Sequence, residues 1–219
     1  MQASTPAVDA RGSSCDAADL LAMINGAWVT QVIRTACELD LPDRLSQRVA
    51  DTASLATASG SDVHALRRLL LAMASLELCE PVPTDCWRLS PRGQLLCRDA
   101  PLSLHHWARH AGGGLWQRLG ELPEAVRSGA SWSERHHGVG GYERLATDAH
   151  AGHVFHRAMV ELTRQVAPAI VSHLELSSTR CVVDVGGGRG ELLAAVLQRV
   201  PSACGVLCDQ SAALEGAAA

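Results

Sequence analysis

The run CVVDVGGGRGELLAAVLQRVPSACGVLCD, residues 181–209, decides the fold. It opens on CVVDV, a short β-branched stretch of strand character. GGGRG follows at once, where only a chain rich in glycine can turn so tightly. ELLAAVLQRV (191–200) then places its apolar residues at helical spacing, and after Pro201 the run CGVLCD returns to strand character. Strand, turn, helix and strand make a β-α-β unit, whose strands belong in a parallel sheet covered by helices.

Within that unit Gly186, Gly188 and Gly190 form a G-x-G-x-G pattern. The sixth position counted from Gly186 is Glu191, so the register that admits a dinucleotide pyrophosphate is not met. A loop without Cβ atoms lets a ligand press against the backbone, and an acid just after the second strand can accept both hydroxyls of a ribose. Asp209 stands there, 23 positions after Gly186. With Asp184 before the turn, the pattern suits an adenosine ligand without a diphosphate, such as S-adenosylmethionine. The candidate cofactor-binding residues are therefore Asp184, Gly186, Gly188 and Asp209. The alternative reading is a structural βα turn with no ligand.

Upstream, residues 148–173 carry a continuous helical period, with Val154, Met159, Leu162 and Val166 as the expected buried stripe and Pro168 expected to kink or divide the helix. Residues 101–150 are helical in composition but broken by Gly112-Gly113-Gly114, by Gly129 and by the stretch Gly138 to Gly141. Residues 52–97 read as a short helix, a turn at Gly60, a helix from Asp62 to about Leu78, a hairpin and a short helix from Pro91, in winged-helix order. From Asp19 to about Leu39, Leu20, Met23, Ile24, Ala27, Trp28 and Val32 mark a long amphipathic helix. Residues 1–18 read as a flexible tail.

Composition narrows the function. The chain has 219 residues, 47% hydrophobic and 19% charged, with net charge −4, which excludes a disordered chain. All 19 basic residues are Arg, so neither a Schiff-base nor a P-loop lysine takes part in the chemistry. Aromatic content of 3% and the acidic balance argue against nucleic acid. In residues 51–100 five Arg face six acids, too little positive charge for a DNA reader, and a dimerisation platform is expected instead. The eight Cys form no Cys-x-x-Cys pair and lie mostly in apolar stretches, as expected of a reduced, cytoplasmic chain. No signal peptide or membrane span is read, so a soluble protein is expected. Among ten His, His106 and His110 stand at i and i+4, but Trp107, Ala108 and Arg109 between them supply no general base, and no metal site is expected.

With these residues in place, the chain from about Leu20 to Asp209 resembles the dimeric, S-adenosylmethionine-dependent small-molecule O-methyltransferases of the plant caffeate and actinobacterial polyketide-tailoring types. The resemblance is carried by HALRRLLLAMASLELCE, WRLSPRGQLL, LWQRLGELPEAVRSG, FHRAM and VVDVGGGRG followed by GVLCD. It implies a mainly α, winged-helix-like dimerisation domain at 19–100, a helical linker and substrate-pocket region at 101–178, and the start of an α/β, Rossmann-like class I methyltransferase domain at 179–219. It also implies that Gly186 contacts the cofactor, that Asp209 binds its ribose, and that Phe155 and Met159 line the substrate pocket; from spacing alone, plain core packing of those two is an equal reading. The implied partners are a hydroxylated small-molecule acceptor and a second copy joined through the N-terminal helices.

Two departures stand out. His156 replaces the Asn usual after the Phe, and Gln210-Ser211 replaces the usual Leu-Pro. In the family the catalytic His and the acids that hold it lie beyond the position of Asp209. No catalytic residue is therefore assigned, and the expectation is the N-terminal part of such an enzyme, inactive alone, with Val182, Val183, Val206 and Leu207 incompletely covered. The alternative is a non-catalytic dimerisation or regulatory partner of a full-length relative.

Overall fold

The computed structural model describes residues 10–217. A long helix, α1 (Ala10–Glu38), leads into α2 (Leu41–Gln47). The winged unit follows as β1 (Ala50–Asp51), α3 (Thr52–Ser59), α4 (Val63–Ser75), β2 (Cys79–Val82), β3 (Cys86–Leu89) and α5 (Pro91–Gln94). Strand β3 lies between β1 and β2 and is antiparallel to both.

Local chemistry sets these boundaries. Asp51 and Asp62 cap α3 and α4, their side chains accepting from the N–H groups of Ser54 and Ala65 at 2.9 and 2.8 Å. Gly60 ends α3 in the left-handed region, at φ 66°. Leu66, Leu70 and Met73 form the buried stripe of α4 and share a core with Leu41, Leu55, Trp87 and Leu89. The Trp87 indole N–H donates to Thr52 Oγ1 at 2.9 Å, so the ring is buried with its polar atom satisfied. The arginines of the wing answer acids of the same unit: Arg67 meets Asp85 at 2.9 Å and Arg92 meets Glu77 at 3.1 Å.

Ala36 and Cys37 carry the end of α1 into this core. Leu20, Met23, Ile24 and Trp28, the residues that mark α1 as amphipathic, are instead exposed, Trp28 to 72%. Helix α1 begins at Ala10, so residues 10–18, expected as tail, are helical; residues 1–9 of that expected tail lie outside the described residues.

The linking region contains α6 (His105–His110), a π-helical turn (Ala111–Leu115), α7 (Trp116–Leu119), α8 (Leu122–Ser128), α9 (Trp132–His137), α10 (Gly141–Thr147) and α11 (Ala149–Ser172). Helix α11 is not divided at Pro168, which sits exposed near its end, where the freed Arg164 carbonyl can turn to water. Its buried row is Gly152, Ala158, Val160, Glu161, Ala167 and Val171 rather than the expected one. Val154, Met159 and Leu162 are half-buried and Val166 is exposed, because the inner side of α11 packs along α6 through small residues while Val154 and Met159 face open cavities.

The last unit is β4 (Cys181–Val185), α12 (Glu191–Arg199), β5 (Cys204–Cys208) and α13 (Ser211–Leu214). Strands β4 and β5 are parallel, with Cys181 opposite Cys204 and Val185 opposite Cys208. Helix α12 closes so tightly on β5 that a Cβ on Gly205 would lie 2.6 Å from Leu197 Cδ1. The other face is open among the described residues: Val183 is 59% and Val185 80% exposed, whereas Val182 and Leu207 are half-buried. Cys181, Cys204 and Cys208 are exposed with it although they lie in apolar stretches of sequence; among the described cysteines Cys37 and Cys79 are buried.

Candidate cofactor and substrate site

The chain turns immediately after β4. Gly186 and Gly188 stand at φ 75° and 58°, a region that L side chains resist. The Gly186 N–H donates to the Cys208 carbonyl at 2.7 Å, and the Gly190 N–H to that of Gly187 at 2.9 Å, which leads the loop into α12. At Gly187 a side chain is excluded by space, since a Cβ would overlap the Asp184 carboxyl and lie 2.6 Å from Leu207 Cδ1.

Because β5 runs parallel to β4, Asp209 arrives beside the same loop. Its carboxylate accepts from the N–H of Gly188 at 2.7 Å and from that of Gln210 at 2.6 Å. Asp184 points its Oδ2 into a buried position where no donor reaches it. An unanswered acceptor in such a place costs free energy until a ligand or water supplies a donor.

Helices α10 and α11 form the opposite wall. Between them and the loop lies a cavity of about 560 Å³, lined by Asp184, Gly186, Gly188 and Asp209 on one side and by Phe155 and Met159 on the other. All six residues picked from the sequence therefore meet at one cavity, and Phe155 and Met159 face it. The Phe155 ring is set by edge contacts with His110 at 5.5 Å and Tyr142 at 6.0 Å between centroids. Tyr142, Leu145 and Arg189 also line the wall and carried no signal in the sequence. His156 lines it as well, at a position noted only as a departure. Burial, then the charge of Arg189, hold the His156 imidazole below its ordinary value, so it faces the cavity neutral at pH 7.

The other histidines are used locally. His105 sets its Nδ1 3.2 Å from the Leu96 carbonyl, and His136 Nε2 lies 2.7 Å from Glu121. Among the described residues, no group of three or more His, Cys, Asp or Glu side chains is placed to hold a metal.

Family models match this chain in two stretches: an O-methyltransferase dimerisation domain at residues 21–99 and an O-methyltransferase domain at residues 116–218. The chain belongs to the O-methyltransferase family. Its fold is a winged-helix-like dimerisation domain followed by a β-α-β unit of the α/β methyltransferase type. The chain is 36% identical over 184 residues to 8-amino-8-demethylriboflavin N,N-dimethyltransferase of Streptomyces davaonensis, covering 83% of this chain and 53% of that one. It is 31% identical over 191 residues to phenazine O-methyltransferase PhzM of Lysobacter antibioticus, covering 87% and 56%. The chain thus spans about half the length of the curated relatives it matches. The crystal structure of human N-acetylserotonin methyltransferase in complex with SAM shares the fold, with a TM-score of 0.83 at 23% identity over 99% of this chain and 63% of that one.

Proposed function

We propose that the chain forms the dimerisation region and part of the cofactor site of an S-adenosylmethionine-dependent O-methyltransferase acting on a hydroxylated small molecule of secondary metabolism. The observation that carries this is the cavity in which the glycine loop and Asp209 face Phe155 and Met159. Its size is that of a site for a drug-sized ligand. The acceptors present fit the cofactor: Asp209 accepts from ribose hydroxyls at the end of β5, and the buried Asp184 oxygen is an acceptor without a donor. The bound cofactor supplies a sulfonium methyl group for transfer to the acceptor hydroxyl.

The residues of the chain bind and orient. Asp209 exchanges its contact with Gly188 for ligand hydroxyls, and the bare loop backbone admits the ligand closely. Phe155 and Met159 exclude water from the opposite side and fix the acceptor ring by apolar contact. No residue of the chain is assigned the role of general base.

The family match to a dimerisation domain and the exposed row Leu20, Met23, Ile24 and Trp28 support a homodimer formed through α1. No described helix is long and apolar enough to cross a membrane. The described cysteines are free thiols, which supports a reducing, cytoplasmic setting.

The test is calorimetric titration of the purified chain with S-adenosylhomocysteine. Wild type binds; Asp209→Ala loses at least about tenfold in affinity, since a bidentate charge-assisted contact goes. Equal affinity of the two proteins, with unchanged circular dichroism, sinks the reading.

A further inference from the structure

A second cavity, of about 310 Å³, lies on the far side of Leu145 from the glycine loop. Four arginines line it, Arg34, Arg109, Arg118 and Arg144, against two carboxylates, Glu38 and Asp148. Glu38 meets Arg109 at 3.1 Å and Arg34 at 3.7 Å, and Asp148 meets Arg144 at 3.3 Å. Among the described residues Arg118 has no acidic partner. The arginines of the wall therefore outnumber its acids by two. The Nε atoms of Arg34, Arg109 and Arg144 are, moreover, buried without any hydrogen-bond acceptor.

Folding gathers these cations on purpose-built backbone. Gly112 lies against the stem of Arg34, where a Cβ would come within 2.6 Å of the Arg34 Cβ, and Gln31 Nε2 donates to the Gly112 carbonyl at 2.9 Å. Gly112, the first of the glycines that interrupt the helical pattern at 112–114, is what lets α1 bring Arg34 to the cavity. Guanidinium groups whose N–H donors are only partly answered in a partly desolvated wall are costly unless an anion completes them, and their planar fork matches a carboxylate. Burial, then the charge of Arg118, hold His110 below its ordinary value, so that imidazole adds no competing charge at pH 7. Val154 and Leu145 give the same cavity an apolar side, and Leu145 also lines the first cavity.

We propose that this second cavity is an anion subsite that selects carboxylated aromatic acceptors, with Arg118 as the specificity-determining cation. The inference rests on the methyltransferase reading of the first cavity. An acceptor seated here sets its carboxylate among the arginines and runs its ring past Leu145 toward Phe155 and Met159.

The test uses 1-hydroxy-2-naphthoate and its uncharged amide, 1-hydroxy-2-naphthamide, titrated into the full chain. Wild type is expected to bind the acid at least about tenfold more tightly than the amide, the size of one charge-assisted contact. Arg118→Gln abolishes that preference while leaving the amide unchanged; Arg144→Gln, checked by circular dichroism, reduces it as well. Acid and amide binding alike, neither binding, or a preference that survives both variants overturns the proposal. So does inorganic phosphate displacing the acid as effectively as benzoate does, since the site is then a general anion site. S-adenosylhomocysteine is titrated separately. Its binding without acid preference sinks the subsite alone, and acid preference without its binding sinks the methyltransferase reading alone.

Discussion

Glu161 of α11 holds His106 of α6 twice, its Oε1 accepting from the His106 backbone N–H at 3.0 Å and from Nδ1–H at 2.8 Å. Its Oε2 accepts from the Trp107 N–H at 2.8 Å. Leu104, at the N-cap position of α6, offers no side-chain cap. A carboxylate from a helix some 55 residues away thus does the work of a local cap, at the positive end of the α6 dipole.

Removing that carboxylate is expected to be expensive. Glu161→Ala leaves three N–H donors unanswered and should lower unfolding free energy by about 3 kcal/mol, with Glu161→Gln costing about half as much. Burial alone would raise the Glu161 carboxyl; the bonds from His106 and Trp107 outweigh it and hold the group below its ordinary value of 4.5. A carboxyl lowered on folding stabilises above its unfolded value and loses that contribution as pH falls through the folded one. Wild type should therefore lose stability below about pH 4.5 more steeply than Glu161→Gln, as urea midpoints across pH 3–6 would show. Parallel profiles would contradict this.

Gly93 is held by space. A Cβ there would overlap the Leu78 carbonyl and lie 2.7 Å from Leu89 Cδ1, at the junction of α5 with the wing. Because the first obstacle is backbone, Gly93→Ala should cost about 2–3 kcal/mol and lower the melting temperature by several degrees. A variant that melts with wild type would show that the wing yields.

Among the described thiols, Cys86 and Cys97 are half-buried and the other five stand at two extremes. Burial, aided by the charges of Asp43 and Glu161, pushes Cys37 up to about 12, and burial pushes Cys79 to about 11. The reactive thiolate is thus suppressed at both, while Cys181, Cys204 and Cys208 lie exposed. Labelling with a thiol reagent at pH 8, read by peptide mass spectrometry, should mark the exposed three first and reach Cys37 and Cys79 only on unfolding. Early labelling of Cys37 would refute the assignment.

What the sequence shows and what it hides follow the range of the interactions. The β-α-β unit is legible because the period changes at Cys181 and the glycines fall where the backbone turns; the wing is legible because Asp51, Asp62, Gly60 and Pro91 are local punctuation. The buried face of α11 is not, because Glu161 is drawn inward by donors on α6, and no periodicity within α11 contains that information. The open face of β4 and β5 escapes for the opposite reason: an apolar strand reads the same whether or not anything covers it. Asp184, Gly186, Gly188 and Asp209 are legible because loop and acid follow a set order along the chain, whereas spacing alone gives Phe155 and Met159 no role beyond core packing and only the family resemblance singles them out. The arginine cavity draws on positions 34, 109, 118 and 144, whose spacing carries no pattern; only the glycine run at 112–114 hints that something unusual packs there.

Leu145 stands in the wall of both cavities, so a ligand in one is expected to be felt in the other. A ligand that moves this side chain in settling into one chamber reshapes the other, and thermodynamic linkage requires the coupling factor to be the same in either direction. Affinity for S-adenosylhomocysteine measured with and without an aromatic acid then reads that coupling directly.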